Sequence, residues 1–343
     1  MPPRDSARPR PVAFHDDAPR PGRHDAFDGT VPPVLRTAFD VTAYTLEVGG
    51  RIPVDATAIG RAAERMTGNT PVDDGAPTAS TGDAAPAVPA DLLDLASLRR
   101  DLAYLHRIES AALTETRTMY SSWTANEARI TAFAASWLWE RFWWARALRE
   151  VRDALPATPE RPREDRPQHE HPRPTPLHRA RHLYVERALP MVGPVWAAVT
   201  GERVTAGHMA RMAIQEGSLL VALRALSARL DHIPEAQRVI DEICRRRERA
   251  AEFFRLEAIA RITRSRGEAL TARLVLATGG DPLRPAGQWV PGELEARRSL
   301  FAAPESRAAL DAVRAEITRL LPGRGLPSPR RPSAPGGSRG IRP

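Results

Sequence analysis

The stretch that decides the fold is Trp137-Leu-Trp-Glu-Arg-Phe-Trp-Trp-Ala-Arg-Ala-Leu148, in which a single glutamate, Glu140, lies among aromatic and aliphatic side chains. It belongs to a helix predicted over 125–154, about 45 Å long at 1.5 Å per residue. Four tryptophans fall within the stretch, so we expect this helix to be buried on most sides, with its rings as core filler. An ionised carboxylate on such a face needs a compensating partner.

Three further glutamates lie on apolar or mixed faces of predicted helices, and the four form two pairs. Glu109 and Glu140 are 31 residues apart, and Glu216 and Glu248 are 32 residues apart. This layout is typical of a carboxylate-lined four-helix bundle, in which separate helices bring their carboxylates to a shared interior. The neighbours on the same helix face as Glu140 and Glu216 are mainly apolar, so both carboxylates are predicted to be partly buried.

Hydrophobic periodicity predicts four long helices, over about 91–120, 125–154, 205–231 and 234–266. The first two helices and the last two are joined by short turns, whereas the connection between the second and third is long and proline-rich over 155–176. This order of a short, a long and a short connection is typical of two antiparallel helical hairpins joined by a crossover. The sequence therefore predicts an all-α protein, an up-down four-helix bundle with a long crossover.

The rest of the chain divides by composition, because the 343 residues include 33 prolines, too many for a helical domain alone. Within the N-terminal part, Phe39–Val48 has the composition of a strand, and Asp55–Met66 that of a short helix. We expect a mostly disordered region with this patterned insert over 1–88, the bundle over 89–281, short C-terminal helices packing on the bundle over 282–322, and a disordered basic tail over 323–343.

Charge and cysteine content exclude several classes of function. The formal net charge is +8, but the arginines are dispersed rather than clustered in a groove-entering motif, so no nucleic-acid partner is expected. No apolar run reaches the roughly 20 residues of a membrane span, and none marks a signal peptide. The single cysteine, Cys244, fits a reducing compartment. The sequence thus predicts a cytoplasmic protein.

Two segments carry a resemblance to a known family. Glu248-Arg-Ala-Ala-Glu-Phe-Phe254 resembles the fourth-helix motif of ferritin-like proteins, of the acyl-carrier-protein-desaturase and rubrerythrin kinds, commonly Asp-Glu-x-x-His-Ala-x-Phe-Phe/Tyr. Trp139–Leu148 resembles the second-helix counterpart, Glu-x-x-His before a small residue. The resemblance spans about 91–266 and implies a di-metal carboxylate site. Trp143 and Ala251 occupy the two histidine positions, so the implied site has degenerate ligands.

Three kinds of compensation could answer the buried carboxylates. Iron or manganese could bind, with His106 replacing the lost imidazoles and His208 as a poorer candidate. Alternatively, Arg247 lies on the inward line of the fourth helix, where its guanidinium could bridge two carboxylates. In the third alternative, one or more glutamates point outward or are protonated.

Two functions follow from these alternatives, and the sequence leaves open whether the protein is an enzyme. The leading hypothesis is a non-redox scaffold or interaction protein with an eroded di-metal site. The second is a desaturase-like di-iron or manganese oxidoreductase whose ligands would be Glu109, Glu140, Glu216, Glu248 and a displaced His106. The tryptophan-rich second helix could also support a homodimer.

Overall fold

The computed structural model describes residues 37–66, 90–157, 201–284 and 292–323. Within these ranges every regular element is a helix, which confirms the all-α class. Most of the predicted crossover over 155–176, and all but the first residue of the predicted tail over 323–343, lie outside the described residues. The α-helices are α1 (Val41–Leu46), α2 (Ala56–Met66), α3 (Ala90–Ser110), α4 (Ala112–Tyr120), α5 (Ala128–Ala154), α6 (Val204–Ser227), α7 (Pro234–Arg264), α8 (Arg266–Thr278), α9 (Glu293–Leu300) and α10 (Pro304–Thr318).

The four long helices α3, α5, α6 and α7 follow the predicted order, with two differences at their ends. The first predicted helix is interrupted at Ala111, so α3 and α4 are separate. The fourth predicted helix ends at Arg264 rather than at 266, because Ser265 has extended backbone angles and its hydroxyl accepts a hydrogen bond from the Glu268 N–H at 3.2 Å. A serine cap of this kind ends α7 and starts α8 because it satisfies a free N–H of the new helix.

The long helices pack as two sequential pairs, α3 against α5 and α6 against α7, and α5 also contacts α7. Helices α8 and α10 pack on the outside of α6. Gly217 allows the approach of α10, because a Cβ at this position would lie 2.7 Å from Val313 Cγ1. The core between the helices includes Phe133 and Phe253, whose rings stack with centroids 3.6 Å apart.

The N-terminal segment 37–66 packs across α5 and α7, and we call it the strap. The predicted strand over Phe39–Val48 is wrong, because α1 forms there. Its first turn is capped by the Asp40 carboxylate, which accepts a hydrogen bond from the Ala43 N–H at 2.9 Å. Long-range burial of Tyr44 then outweighs the local strand preference, since β-propensity depends strongly on context. The helix predicted over Asp55–Met66 is confirmed as α2.

None of the helices in the described ranges combines the length and the apolarity that crossing a membrane requires.

Candidate functional site

Each of the four long helices places one charged side chain at a common interior point. Helices α3 and α6 supply Glu109 and Glu216, and helices α5 and α7 supply Arg141 and Arg247. All four side chains are 0% exposed. We call these four residues the central cluster. Its formal charges balance, with two guanidinium groups facing two carboxylates.

Each arginine of the central cluster approaches both carboxylates. Glu109 accepts a hydrogen bond from Arg141 Nε at 2.7 Å and a second one from Arg247 Nη2. Glu216 accepts from Arg247 Nη1 at 2.5 Å, and Arg141 Nη1 lies 3.7 Å from its other oxygen. Charge-assisted hydrogen bonds of this kind are about twice as strong as neutral ones. The cluster therefore links all four long helices through one set of ion pairs.

A second set of contacts holds Arg141 in place. Its Nη2 donates to the carbonyl of Ile108 at 2.8 Å, and its Nη1 lies 3.4 Å from the carboxylate of Glu115. The amide of Gln215 donates to the same Glu115 carboxylate at 2.5 Å. The guanidinium is thus fixed by partners on α3, α4 and α6 together.

Each of the two buried guanidinium groups lies over the ring of a tryptophan. The Arg247 guanidinium carbon lies 4.6 Å from the ring centroid of Trp144, and that of Arg141 lies 5.1 Å from Trp137. An indole ring attracts a cation through its negative face, most strongly where water is excluded. Trp137 and Trp144 are core residues, as predicted, and they also stabilise the buried cations. The prediction that the rings of this helix fill the core is wrong for Trp139, which is 51% exposed.

The two carboxylates of the central cluster differ in their tendency to hold a proton. Burial opposes the ionisation of Glu109, but Arg141 and Arg247 outweigh it and lower the pKa of Glu109 below its ordinary value. Burial raises the pKa of Glu216, and the same arginines offset this only in part, while the charge of Glu109 adds to it. Glu109 is therefore the firmly ionised member, and Glu216 is the one that takes up a proton more readily.

Glu140 is buried, as predicted, but its partners come from the strap. The hydroxyl of Tyr44 donates to one oxygen, and the N–H of Gly49 donates to the other at 3.3 Å. Burial raises the pKa of Glu140, and these two hydrogen bonds partly counter it. Glu140 is thus compensated by neutral donors rather than by the arginines that bind Glu109.

Glu248 does not join the interior carboxylates, and its predicted position there is wrong. Its side chain is 49% exposed and pairs with Arg224 at 2.6 Å on the surface of α6 and α7. The residue before it, Arg247, points inward. Successive residues of an α-helix are about 100° apart, so only one of these two neighbours can face the core.

The two predicted histidine candidates lie away from the central cluster. His106 is half-buried and is bonded to Ser110, and burial together with Arg152 and Arg149 lowers its pKa. His208 is buried with its Nδ1 2.8 Å from the hydroxyl of Thr124, and burial lowers its pKa to about 4. Neither imidazole is therefore placed to replace a missing ligand beside Glu109 and Glu216.

The two positions at which the ferritin-like motif has histidine are occupied by Trp143 and Ala251 in this chain. Trp143 packs on the outer side of α5 against Trp139 and Phe142, at ring centroid distances of 5.5 and 5.2 Å. Ala251 lines a groove of about 280 Å³ between α6, α7 and α10. Neither side chain can bind a metal ion in place of an imidazole, because one is an indole packed on other aromatic rings and the other is a methyl group.

The central cluster does not fit a di-metal centre. Both of its carboxylates are bonded to guanidinium groups, whose positive charge opposes a divalent cation at the same oxygens. The described part of the chain contains no group of three or more histidine, cysteine, aspartate or glutamate side chains placed to hold a metal ion. Instead, the two guanidinium groups neutralise the charges of the two buried carboxylates within the chain.

Arg141 is the member of the cluster that the sequence reasoning missed. A signal for it existed, because Arg141 interrupts a line of buried apolar residues at helical spacing along α5 that includes Trp137, Trp144 and Leu148.

Comparison with protein-family models, curated proteins and solved structures finds no match for this chain. Function is therefore inferred from its own residues.

Proposed function

We propose that this protein is a non-redox helical scaffold, built as a ferritin-like four-helix bundle in which two arginines stand where a di-metal centre would be. The observation that supports the proposal most strongly is the bridging of Glu109 and Glu216 by both Arg141 and Arg247 in a fully buried setting. Guanidinium groups suit this role because they are always charged and match a carboxylate with two parallel donors.

The chemistry of the central cluster supports a structural role. Its side chains are engaged with one another, and they are closed off from water by Trp137, Trp144 and the surrounding core. A buried ion pair that loses one partner is strongly destabilised, so the cluster holds the four helices in one register. The two sequential pairs, α3 with α5 and α6 with α7, are compatible with the two hairpins of the proposed bundle.

The strap supports the same proposal. In the family pattern Glu140 would be a metal ligand, whereas here it accepts hydrogen bonds from Tyr44 and Gly49. The carboxylates of Glu109, Glu140 and Glu216 therefore each have positively charged or hydrogen-bonding partners within the chain itself. We propose that such a scaffold acts through its surfaces in the cytoplasm, where the single buried cysteine, Cys244, would stay reduced.

The test is a metal-binding assay on the full chain. Purified protein is incubated with Fe(II) or Mn(II), freed of loosely bound ions, and examined by elemental analysis and by thermal unfolding with and without chelator. The proposal predicts far less than one ion per chain and an unchanged melting temperature, since a ligand that binds only the folded state would raise it. About two ions per chain with oxygen-dependent optical bands would instead support the oxidoreductase hypothesis and overturn the scaffold.

A matched variant sharpens this assay. Glu109→Gln removes a carboxylate that the oxidoreductase hypothesis names as a metal ligand. If the scaffold proposal is right, the metal content of this variant equals that of the wild-type chain. A clear drop in metal content would show that Glu109 is a ligand.

A further inference from the structure

The outer side of α5 carries small side chains in its N-terminal half and large aromatic side chains in its C-terminal half. Helical spacing of three and four residues places both halves on one stripe along the helix. Three exposed alanines occupy the N-terminal half, and three aromatic residues, two of them more than half exposed and the third half-buried, occupy the C-terminal half: Ala128, Ala132 and Ala135, followed by Trp139, Phe142 and Trp143. We call these six residues the α5 stripe.

The aromatic half of the stripe is the most exposed aromatic surface in the described ranges. Trp139 is 51% exposed and Phe142 is 56% exposed, and no other tryptophan or phenylalanine of those ranges is exposed. The rings of Trp139 and Phe142 stack on each other, and both meet Trp143 edge to face. Preformed aromatic patches are typical of the centres of protein interfaces.

We propose that the α5 stripe is a homodimer interface, in which the α5 helices of two copies pack antiparallel. The two-fold axis crosses the outer side of α5 at the level of residue 137 along the helix. With the axis there, Trp139 lies opposite Ala135 of the partner subunit, and Phe142 lies opposite Ala132 of the partner subunit. The aromatic half of each subunit then packs on the alanine half of the other subunit. A two-fold interface contains every contact two times in this way, because both subunits use the same surface. A parallel pairing would instead set aromatic residues against aromatic residues.

The charges at the ends of the stripe agree with the antiparallel arrangement. Arg146 continues the stripe beyond its aromatic half. Its side chain pairs with Glu150 of the same helix at 2.8 Å and remains 40% exposed. The two-fold axis places it opposite residue 128, next to Glu127 of the partner subunit. Glu127 also accepts hydrogen bonds from Arg261 within its own chain but keeps 28% of its side chain exposed. The parallel alternative would bring Arg146 against its own copy, which is repulsive.

The size of the stripe sets the expected strength of the dimer. One pair of helices with three aromatic residues per copy buries on the order of 1,000 Å² in total, at the low end of specific interfaces. The two subunits should therefore dissociate at concentrations on the order of micromolar.

The test measures self-association of the full chain by sedimentation and light scattering up to about 100 µM. Trp139→Ala removes the large partner of the contact, and Ala135→Trp fills the space that Trp139 occupies. Each change alone is expected to weaken the dimer by more than about tenfold. The double variant carrying both changes exchanges the large and small partners, so it should recover most of the lost association.

Leu46→Ala is the matched control, because Leu46 is 82% exposed but lies on α1 rather than on α5. Each variant is first shown to be folded by its helical circular dichroism and melting temperature. A wild-type chain that stays monomeric at about 100 µM would overturn the proposal. So would a folded double variant that stays monomeric, or an equal loss of association in Leu46→Ala. These outcomes do not bear on the central cluster, which lies inside each subunit.

Discussion

Two arginine–glutamate pairs connect α6 to α7, and they differ mainly in their access to water. Arg247 donates to Glu216 at 2.5 Å with both side chains 0% exposed. Arg224 donates to Glu248 at 2.6 Å with side chains 58% and 49% exposed. The residue types, the helices and the distances are nearly the same. Burial is therefore the main difference between the two pairs, and we expect it to decide how much each pair contributes.

The physical difference lies in what remains when one partner is lost. On the surface, water solvates the remaining charge, so an exposed pair contributes about 0–1 kcal/mol. In the interior, the remaining charge has no solvent, and breaking the pair costs about 3–5 kcal/mol. The buried pair also belongs to a larger set, because Arg247 bonds Glu109 as well.

The largest effect is expected for Arg247→Ala. The change leaves Glu216 without its hydrogen-bond donor and Glu109 with one arginine, so the free energy of unfolding should fall by about 3–5 kcal/mol. Arg224→Ala is the matched control and should cost about 0–1 kcal/mol. Urea unfolding followed by circular dichroism measures both. Equal losses in the two variants would mean that burial does not distinguish the pairs.

The next effect compares the two carboxylates of the central cluster. Glu109 accepts hydrogen bonds from two arginines, and its pKa is lowered, whereas the pKa of Glu216 is raised. Neutralising Glu109 with Glu109→Gln should therefore cost about 2–4 kcal/mol, and Glu216→Gln only about 0–2 kcal/mol. The same urea measurement decides the order. A larger loss in Glu216→Gln would reverse the assignment of the firmly ionised member.

The pH dependence of these two variants should have opposite signs. The lowered pKa of Glu109 gives stability that is present above its unfolded value and is lost as the pH falls through the folded value. The raised pKa of Glu216 gives stability that is present below its unfolded value and is lost as the pH rises through the folded value. The free energy of unfolding of the wild type minus that of Glu109→Gln should therefore increase with pH. The same difference for Glu216→Gln should decrease with pH. Unfolding series from acidic to neutral pH would reveal slopes of the same sign if this account is wrong.

The smallest effect is the response of the surface pair to salt. A double-mutant cycle on Arg224 and Glu248 should give a coupling of about 0.2–1 kcal/mol at low ionic strength. This coupling should vanish near 1 M sodium chloride, where the screening length is about 3 Å. A coupling that persists at high salt would indicate that water does not reach the pair.

The long helices were predictable from the sequence because their apolar periodicity extends over many turns, as in α5 and α7. The inward line of α7 was predictable for the same reason, and Arg247 was found on it. The outward position of Glu248 was harder to predict. Arg247 and Glu248 are adjacent, and a change of about 100° in helix rotation decides which of them meets the core.

Other features depended on contacts far apart in sequence. The strap folds as a helix at α1 partly because Tyr44 meets Glu140, 96 residues away, and local composition carries no information on that contact. Arg141 joins the central cluster because Glu109 and Glu216 approach it from α3 and α6. Its isolated position in an apolar line signalled burial, but the identity of its partners required the packing of the helices.

The measurement that tests the central claim most directly is the coupling energy between Arg247 and Glu109, the firmly ionised carboxylate of the cluster. A double-mutant cycle with Arg247→Ala and Glu109→Ala isolates this pair from the other contacts of each residue. Internal charge neutralisation predicts a coupling of about 2–3 kcal/mol, unchanged by salt. A coupling below about 0.5 kcal/mol, within the range of exposed pairs, would contradict it.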